Sequence, residues 1–285
     1  MNILVSGAQG LVGFDLIRIL VKKNHKVFAL YRTKNKKKNL HHRNLIWKKM
    51  DLKNPINLKT KIDIIIHCAV IHEFSKNKKI NDYIDSNILS LTNLADYAKR
   101  SGTKLIINFS TIAVFGEINV KKLSENYMPI KQNLLGVTKQ LSENYLFTQP
   151  VNFINLRFPG ILCTKKNISR PWLQIMINKI KNNNLIKVHN MNNYFNNVID
   201  TTEIGRFILR TIKNKKKIRD TFILSASKPL KLKGIIKIIK NKYRSRSKIL
   251  SSEKNERSFV LSTKKISKKL NFYPLSTEKI IMRNL

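Results

Sequence analysis

The chain has 285 residues, 42% hydrophobic and 8% aromatic, which is enough to bury one large domain with or without a small lobe. Its two cysteines, Cys68 and Cys163, are too few for a disulfide scaffold, and no apolar run reaches the ~18 residues of a membrane-spanning helix. The formal charge of +40 is carried by 43 Lys and only 13 Arg, so it does not by itself indicate a nucleic-acid-binding protein.

Strand and helix patterns alternate through the first half of the chain. Short apolar runs predict five strands, at 2–6, 26–31, 45–50, 62–70 and 104–110. Apolar residues at helical spacing predict helices at 11–22, 83–100 and 136–146. This alternation is typical of βαβ units, so we expect an α/β fold with a Rossmann-type, doubly wound parallel sheet.

Beyond residue 159 the pattern becomes irregular. Helices are predicted at 170–182, 203–212 and 232–242, without an internal repeat and without a linker rich in Pro, Gly or Ser. We therefore expect a dinucleotide-binding domain over residues 1–158 and a smaller substrate-binding lobe, interwoven with it, over residues 159–285. Because the N-terminus enters a strand at once, with no room for a signal peptide, we expect a cytoplasmic protein.

A glycine-rich loop links the first predicted strand to the first predicted helix. It reads Gly7-Ala8-Gln9-Gly10-Leu11-Val12-Gly13. Glycines allow a tight turn and let backbone N–H groups approach a pyrophosphate, and the helix N-terminus adds partial positive charge. We expect this loop to bind a dinucleotide, through Gly7, Gln9, Gly10, Leu11, Val12 and Gly13; a tight turn with no ligand is the alternative.

The end of the second strand distinguishes NAD from NADP. An acidic residue there would bond both ribose hydroxyls, but this chain has Tyr31-Arg32 with Lys34 close behind. A cation at this point favours a 2′-phosphate. The sequence therefore predicts NADP, with NAD and a plain surface arginine as the alternatives.

Further motifs follow in a fixed order along the chain. They are Asp51-Leu52, Ile66-His67-Cys68-Ala69, Asn87-Ile88-Leu89-Ser90-Leu91-Thr92-Asn93-Leu94, Ser110-Thr111-Ile112-Ala113-Val114-Phe115-Gly116, Leu156-Arg157-Phe158-Pro159-Gly160, Phe195-Asn196-Asn197-Val198-Ile199-Asp200 and Leu261-Ser262-Thr263-Lys264-Lys265. With the glycine loop, they make the chain resemble, nearly end to end, the extended short-chain dehydrogenase/reductases. The branch is that of the NAD-dependent epimerases and dehydratases that act on nucleotide sugars.

The resemblance implies a set of site residues. Asp51, Leu52, Ala69 and Asn87 would contact the dinucleotide, and Asn87 would also support the architecture of the site. Thr111 would hydrogen-bond the reacting sugar oxygen. Lys139 would bind the nicotinamide ribose and lower the pKa of a catalytic tyrosine four residues before it.

Position 135 departs from the family pattern, because it holds Leu135 where the family has that tyrosine. Leucine can neither exchange a proton nor donate a hydrogen bond. Three explanations of this missing tyrosine remain open. Another residue, such as Tyr127, serves as the acid/base in its place; the enzyme uses a weaker base or water; or catalysis is lost while cofactor or sugar binding is retained.

The substrate positions also depart from the pattern. Asn196 stands where many relatives have an arginine that grips the nucleotide phosphates, and Asp200 stands where they have a histidine. Arg170 could serve the diphosphate instead, or be a surface arginine. His41, His42 and His189 show no metal-ligand spacing, so no metal site is expected, and His67 is interpreted as a packed strand residue.

Three functions stay open at this point. The leading hypothesis is a nucleotide-sugar epimerase, dehydratase or reductase relative with weakened or lost catalysis, in surface-polysaccharide synthesis for example. The second is a catalytically silent dinucleotide-binding protein that senses redox state or serves as a scaffold. The third is a basic nucleic-acid-associated protein, against which the Lys-, Asn- and Ile-rich composition of A- and T-biased genomes weighs. A nucleotide-diphosphate sugar and a second copy of the chain are the expected partners, and nucleic-acid binding is expected to be absent or non-specific.

Overall fold

The computed structural model describes residues 1–33, 40–71, 77–163, 171–214, 217–255 and 257–285. The strands are β1 (Asn2–Ser6), β2 (Lys26–Tyr31), β3 (Leu45–Lys49), β4 (Ile64–His67), β5 (Leu105–Thr111), β6 (Lys122–Leu123), β7 (Phe153–Phe158), β8 (Gly160–Leu162), β9 (Ile186–His189), β10 (Tyr194–Phe195), β11 (Val198–Asp200), β12 (Arg219–Ile223), β13 (Leu230–Lys231), β14 (Ile249–Ser252) and β15 (Val260–Leu261). The α-helices are α1 (Leu11–Lys22), α2 (Ile80–Tyr83), α3 (Ser90–Ser101), α4 (Leu134–Thr148), α5 (Pro171–Lys181), α6 (Thr201–Thr211), α7 (Leu232–Tyr243), α8 (Lys264–Leu270) and α9 (Thr277–Arg283). A π-helix (Ile84–Leu89) joins α2 to α3, and a 3-10 turn (Ile112–Phe115) follows β5.

Seven strands form one sheet, in the order β12-β7-β5-β4-β1-β2-β3. The pairs from β5 to β3 are parallel. The order reverses between β1 and β4, as in doubly wound sheets, whose ligands bind at that point outside the carboxyl ends of the strands. The predicted Rossmann-type α/β fold is therefore confirmed, and the glycine loop follows β1, one of the two strands between which the order reverses.

The strands that border this crevice are apolar and covered. All four residues of β4 are buried, and Leu4 of β1 and Ile106 of β5 have no exposed surface. Such runs suit parallel strands packed on both faces. Burial on this scale holds the strand ends, and hence the loops that follow them, in fixed positions.

Helix boundaries differ from expectation at three places, one of which is α6, which begins at Thr201 rather than at residue 203. The helix expected at 83–100 begins at Ile80 and contains the π-helix, where one wider turn lets the side chain of Asn87 point inward to hydrogen-bond partners. Helix α4 begins two residues early, at Leu134, because Oδ1 of Asn133 accepts a hydrogen bond from N–H of Gly136 at 2.9 Å.

The chain divides into two compact units. Unit 1 comprises residues 1–117, 128–157 and 205–222, and unit 2 comprises 118–127, 158–204 and 223–285. The chain passes from unit 1 to unit 2 between residues 157 and 158, next to the boundary expected after residue 158. Two segments do not follow that single boundary: residues 118–127 belong to unit 2, and residues 205–222 belong to unit 1. Unit 1 contains nearly all of the seven-stranded sheet.

Unit 2 has its own apolar core and a buried ion cluster. Helices α5, α7 and α9 contribute Ile180, Ile236 and Ile280 to the core. The carboxylate of Asp200 has no exposed surface and accepts hydrogen bonds from Arg283 at 2.6 and 2.7 Å, while Asn284 donates another at 2.9 Å. None of the helices in the ranges given above is long and apolar enough to cross a membrane.

Candidate active site

The backbone of the glycine turn after β1 packs closely against the backbone that follows β4. Gly7 has φ +63°, and a Cβ there would lie 2.7 Å from the backbone N of Ala69. A Cβ on Gly13 would collide with the backbone oxygen of Gly7. Only glycine fits at either position, so the first turn of α1 sits directly on the loop.

Helix α1 begins without a side-chain cap. Its N-cap residue is Gly10, and no acidic residue lies in the first turn. Uncapped N–H groups at a helix N-terminus favour an anion such as a pyrophosphate. Leu11 is exposed and Val12 half-buried at this end of the helix.

A cleft of about 360 Å³ opens in front of this turn. It is lined by Gly7, Gln9, Gly10, Leu30, Tyr31, Arg32, Thr33, Met50, Asp51, Leu52, Lys53, Ala69, Val70, Ile71, Asp82, Asp85, Ser86 and Ser90. Arg32 is exposed at the end of β2, while Lys34 lies outside the described residues. Of the residues expected to bind the cofactor, the cleft brings together Gly7, Gln9, Gly10, Arg32, Asp51, Leu52 and Ala69, whereas its lining does not include Leu11, Val12, Gly13, Asn87 or Lys139.

Asn87 ties the loop after β4 to helix α4. Its side chain is fully buried, and its Oδ1 accepts a hydrogen bond from N–H of Ile71 at 3.0 Å. Its amide nitrogen donates to Oγ1 of Thr138 at 3.1 Å. The hydroxyl of Ser142 donates to the backbone oxygen of Asn87 at 2.8 Å. Asn87 therefore fixes the face of α4 that carries residues 135 and 139.

His67 is locked in the sheet beneath the cleft. Its ring nitrogens lie 2.7 Å from Oγ of Ser6 and 3.3 Å from Oγ of Ser90. Complete burial, helped by the positive charge of Lys139, holds the pKa of His67 well below its usual value. His67 is thus neutral and fully hydrogen-bonded, which agrees with the interpretation of a packed residue.

Thr111 ends β5 and caps the 3-10 turn. Its Oγ1 accepts a hydrogen bond from N–H of Ala113 at 3.1 Å. That bond uses one acceptor position and leaves the hydroxyl proton able to donate. A Cβ on Gly136 would collide with the backbone oxygen of Ala113, so α4 packs directly on the turn that Thr111 caps.

Lys139 is the most unusual side chain of unit 1. It is 1% exposed, and its Nζ has no hydrogen-bond partner among the described residues. Burial lowers the pKa of its ammonium group from 10.5 to about 8, despite the opposing negative charge of Glu143. An orphaned buried amine is what a ribose hydroxyl would satisfy, so the residues present fit a nicotinamide nucleotide.

Leu135 is sealed into an apolar cluster. It is 2% exposed and packs with Ile71, Tyr83 and Ala113. Sequence reasoning did not single out Tyr83, although it lies one helical turn before Asn87 and so falls on the same face. This cluster explains why leucine is stable at position 135: its neighbours are apolar or aromatic.

Other candidate residues lie elsewhere or are committed to their own unit. Tyr127 belongs to unit 2, where its hydroxyl accepts a hydrogen bond from N–H of Asn119 at 2.9 Å. Asn196 is 1% exposed, and its amide donates to backbone oxygens of Ala226 and Leu261 at 2.9 and 2.8 Å. The carboxylate of Asp200 is occupied by Arg283. Arg170 lies outside the described residues.

Unit 2 contains a cavity of about 620 Å³. It is lined by Asn119, Val120, Lys121, Asn192, Asn193, Tyr194, Pro229, Arg257, Ser258, Phe259 and Val260. A guanidinium, an ammonium, several amides and two aromatic rings therefore meet around one space. The sequence did not predict this cavity, because four distant segments build it.

Comparison with known proteins gives a consistent result. The family model described as the NAD dependent epimerase/dehydratase family matches residues 3–219. A GDP-6-deoxy-D-talose 4-dehydrogenase from Aggregatibacter actinomycetemcomitans is 29% identical over 151 residues, covering 50% of this chain and 47% of that protein. The chain thus spans about half the length of the curated relatives it matches.

Solved structures of the same fold are similar over the whole chain. The Bordetella bronchiseptica enzyme WbmG in complex with NAD has a TM-score of 0.82 and 14% identity, covering 100% of this chain and 92% of that one. A UDP-glucuronic acid 4-epimerase from Bacillus cereus in complex with NAD has a TM-score of 0.79 and 19% identity, with 100% and 97% covered. At these identities the likeness shows the fold.

Proposed function

We propose, from the premise that this chain belongs to the NAD-dependent epimerase/dehydratase family, that it binds a nicotinamide dinucleotide in the cleft at the ends of β1 and β4. The observation that carries the proposal is the Gly7 turn, with its positive φ and an uncapped helix N-terminus behind it. The orphaned amine of Lys139 supplies an anchor for the nicotinamide ribose. The NAD complexes of WbmG and of the Bacillus cereus epimerase support the choice of cofactor.

Within this cofactor class, the preferred form is NADP. Arg32 is exposed at the end of β2 and lines the cleft, where its guanidinium can meet a 2′-phosphate. Asp51 lines the same cleft, after β3. A chain that binds NADH as tightly as NADPH would contradict this part of the proposal.

The second ligand is a nucleotide-diphosphate sugar. The cavity of unit 2 suits such a molecule, because Arg257 and Lys121 can neutralise a diphosphate while Tyr194 and Phe259 offer rings to a base. The names of the relatives, a GDP-sugar dehydrogenase and a UDP-sugar epimerase, support this class. A role in surface-polysaccharide synthesis fits such a substrate.

Catalysis is weakened rather than typical of the family. Thr111 is available to hold a sugar oxygen, but Leu135 carries no proton and lies within an apolar cluster. The bound dinucleotide would supply the hydride-accepting ring, whereas the chain's own residues would orient the sugar and move its proton. The same observation favours the second candidate, a silent dinucleotide-binding protein in redox sensing or scaffolding.

A second copy of the chain is the proposed protein partner. Leu134, Val137 and Leu141 lie three and four residues apart on one face of α4 and are 44%, 46% and 52% exposed. A stripe of this kind suits a symmetric contact between two copies. Replacing Val137 with Lys should then convert a dimer into a monomer in sedimentation experiments.

Calorimetric titration tests the proposed function. We expect NADPH or NADH to bind the wild type, and UDP-, GDP- or dTDP-sugars to bind at a second site. Gly7→Ala should abolish cofactor binding, because a Cβ meets Ala69, while Gly102→Ala is the control, since a Cβ there meets nothing within 4 Å although φ is also positive. Absence of any dinucleotide binding by folded wild type would overturn the proposal.

A further inference from the structure

The site has lost the family's proton carrier but has kept a buried group that can exchange a proton. Residues 135 and 139 are one turn apart on α4, so their side chains lie on the same face. Leu135 packs with Ala113, which lies in the turn that Thr111 caps. Lys139 therefore lies one turn further along the face of α4 whose earlier residue, Leu135, contacts the Thr111 turn.

The charges around Lys139 leave its amine without a close counter-ion. Glu143 is the nearest carboxylate on α4, but Arg157 holds it, with Nη2 of Arg157 at 2.7 Å from Oε2. Cys68 stays a neutral thiol, because burial raises its pKa. His67 is neutral for the reason given above. No group packed around Lys139 among those that the structure describes thus stabilises the ammonium form by direct contact.

We propose that Lys139 itself is the proton-transfer residue of this chain, in place of the tyrosine that position 135 lacks. The proposal rests on the proposed function, since it needs a bound dinucleotide and a sugar hydroxyl held by Thr111. The lone pair of Nζ takes the hydroxyl proton as the C–O bond becomes C=O. The hydrogen on that carbon leaves with its electron pair to the oxidised nicotinamide ring. In the reverse direction the ammonium returns its proton to the carbonyl oxygen as the hydride returns to carbon.

The depressed pKa of Lys139, about 8, supports this role, because a general base works best when its pKa lies near the working pH. The amine would be about one-tenth deprotonated at pH 7 and about nine-tenths at pH 9. A rate that depends on the free amine therefore rises about tenfold between these pH values and then levels off.

The first test observes the amine directly and needs no substrate. Lysine labelled with ¹⁵N is introduced, and the Nζ resonance that disappears in Lys139→Met is followed with pH by NMR. We expect this resonance to show a transition from ammonium to amine near pH 8, below the ordinary pKa of a lysine side chain. An ammonium signal that persists to pH 10 would overturn the proposal.

The second test measures hydride transfer to bound NAD⁺ or NADP⁺ in single-turnover experiments with UDP-, GDP- and dTDP-sugars. We expect a slow rate that rises about tenfold from pH 7 to pH 9. Lys139→Arg should still bind the cofactor but lose at least 100-fold in rate, because a guanidinium stays protonated. Tyr83→Phe should keep the wild-type rate and pH profile.

The outcomes separate this proposal from the proposed function. Cofactor binding without hydride transfer from any sugar at pH 9, a rate unchanged with pH, or full activity in Lys139→Arg would each overturn the role of Lys139 and leave dinucleotide binding intact. Failure of the folded wild type to bind a dinucleotide would overturn both. If Lys139→Arg does not fold, the wild-type pH profile and the NMR titration still decide the question.

Discussion

Two buried charged sites in this chain are built in opposite ways. In unit 2, the carboxylate of Asp200 is met by Arg283, Asn284 and the N–H of Glu203 at 2.7 Å, so its hydrogen-bonding capacity is used within the fold. In unit 1, the amine of Lys139 has no such partner. Removing one partner from a satisfied buried charge destabilises the native state, whereas a buried charge that has no partner lowers stability by itself and is explained by a ligand.

The largest expected effect on stability is at Asp200, whose carboxylate has its hydrogen-bond partners within unit 2. Asp200→Ala should lower the free energy of unfolding by about 3 kcal/mol, because Arg283, Asn284 and the N–H of Glu203 lose their buried acceptor and Arg283 keeps a contact with Glu203 at 3.7 Å. Urea denaturation measures this. Asp96→Ala is the control, since Asp96 is exposed and accepts a single exposed hydrogen bond, from Tyr145 at 3.2 Å, so its loss should change stability by less than about 1 kcal/mol. Equal effects of the two changes would remove the contrast between the two sites.

Lys139→Met should change the free energy of unfolding in the opposite direction and make the protein more stable. The pKa of Lys139 is lower in the native state than in the unfolded chain, so the unfolded chain binds more protons between about pH 8 and 10.5, and stability rises with pH across that window. Below pH 8 the full cost is present, and the methionine variant should be more stable by about 2–3 kcal/mol at pH 7.

Denaturation at pH 7 and pH 10.5 measures that difference, which should be nearly lost at the higher pH. Lys99→Met, at an exposed position on α3, is the control and should show little change at either pH. A Lys139→Met variant that is less stable than wild type at pH 7 would mean that Lys139 has a stabilising partner.

Leu135→Tyr tests the apolar cluster that lies one helical turn from Lys139 on α4. The added hydroxyl enters a cluster that leaves Leu135 2% exposed, so we expect destabilisation of about 1–3 kcal/mol by overpacking. Leu135→Phe adds the ring without the hydroxyl and is the matched control. A gain in hydride transfer with Tyr but not with Phe would show that a phenol at this position still works.

The smallest effect concerns cofactor selectivity. Arg32→Ala should reduce the preference for NADPH over NADH about tenfold, since a hydrogen bond to a charged group contributes about 1.5–3 kcal/mol and Arg32 is exposed to solvent. Fluorescence titration of both cofactors measures the ratio. Arg43→Ala, an exposed arginine that does not line the cleft, should leave it unchanged.

The sequence predicted best what depends on local pattern. The span of α1 and the strands β1 and β2 agree with the prediction, because buried apolar runs and a glycine turn mark both their type and their ends. Among the residues that line the cleft, Gly7, Gln9 and Gly10 were expected from the glycine motif, Arg32 from the end of the second strand, and Asp51, Leu52 and Ala69 from the family resemblance. The π-helix was missed, because it depends on partners that Asn87 finds far along the chain, at Ile71 and Thr138.

What depends on long-range contacts could not be predicted. Asn196 was expected to face a substrate, but its amide is used by backbone atoms of residues 226 and 261. The cavity of unit 2 is lined by segments that lie far apart in the sequence. The packing of Tyr83 against the cluster of Leu135 likewise joins distant segments, and no sequence motif links them. Leu135 itself was visible in the sequence, whereas the isolation of the Lys139 amine beside it was not.

The interleaving of the two units has a consequence for synthesis on the ribosome. The edge strand β12 of the large sheet is made of residues 219–223, which are translated after the whole of unit 2's segment 158–204. Until then β7 is the open edge of a sheet of parallel strands, the kind of surface that pairs with other chains. A truncated chain ending at residue 204 should therefore aggregate, and productive folding must wait for the last third of the protein.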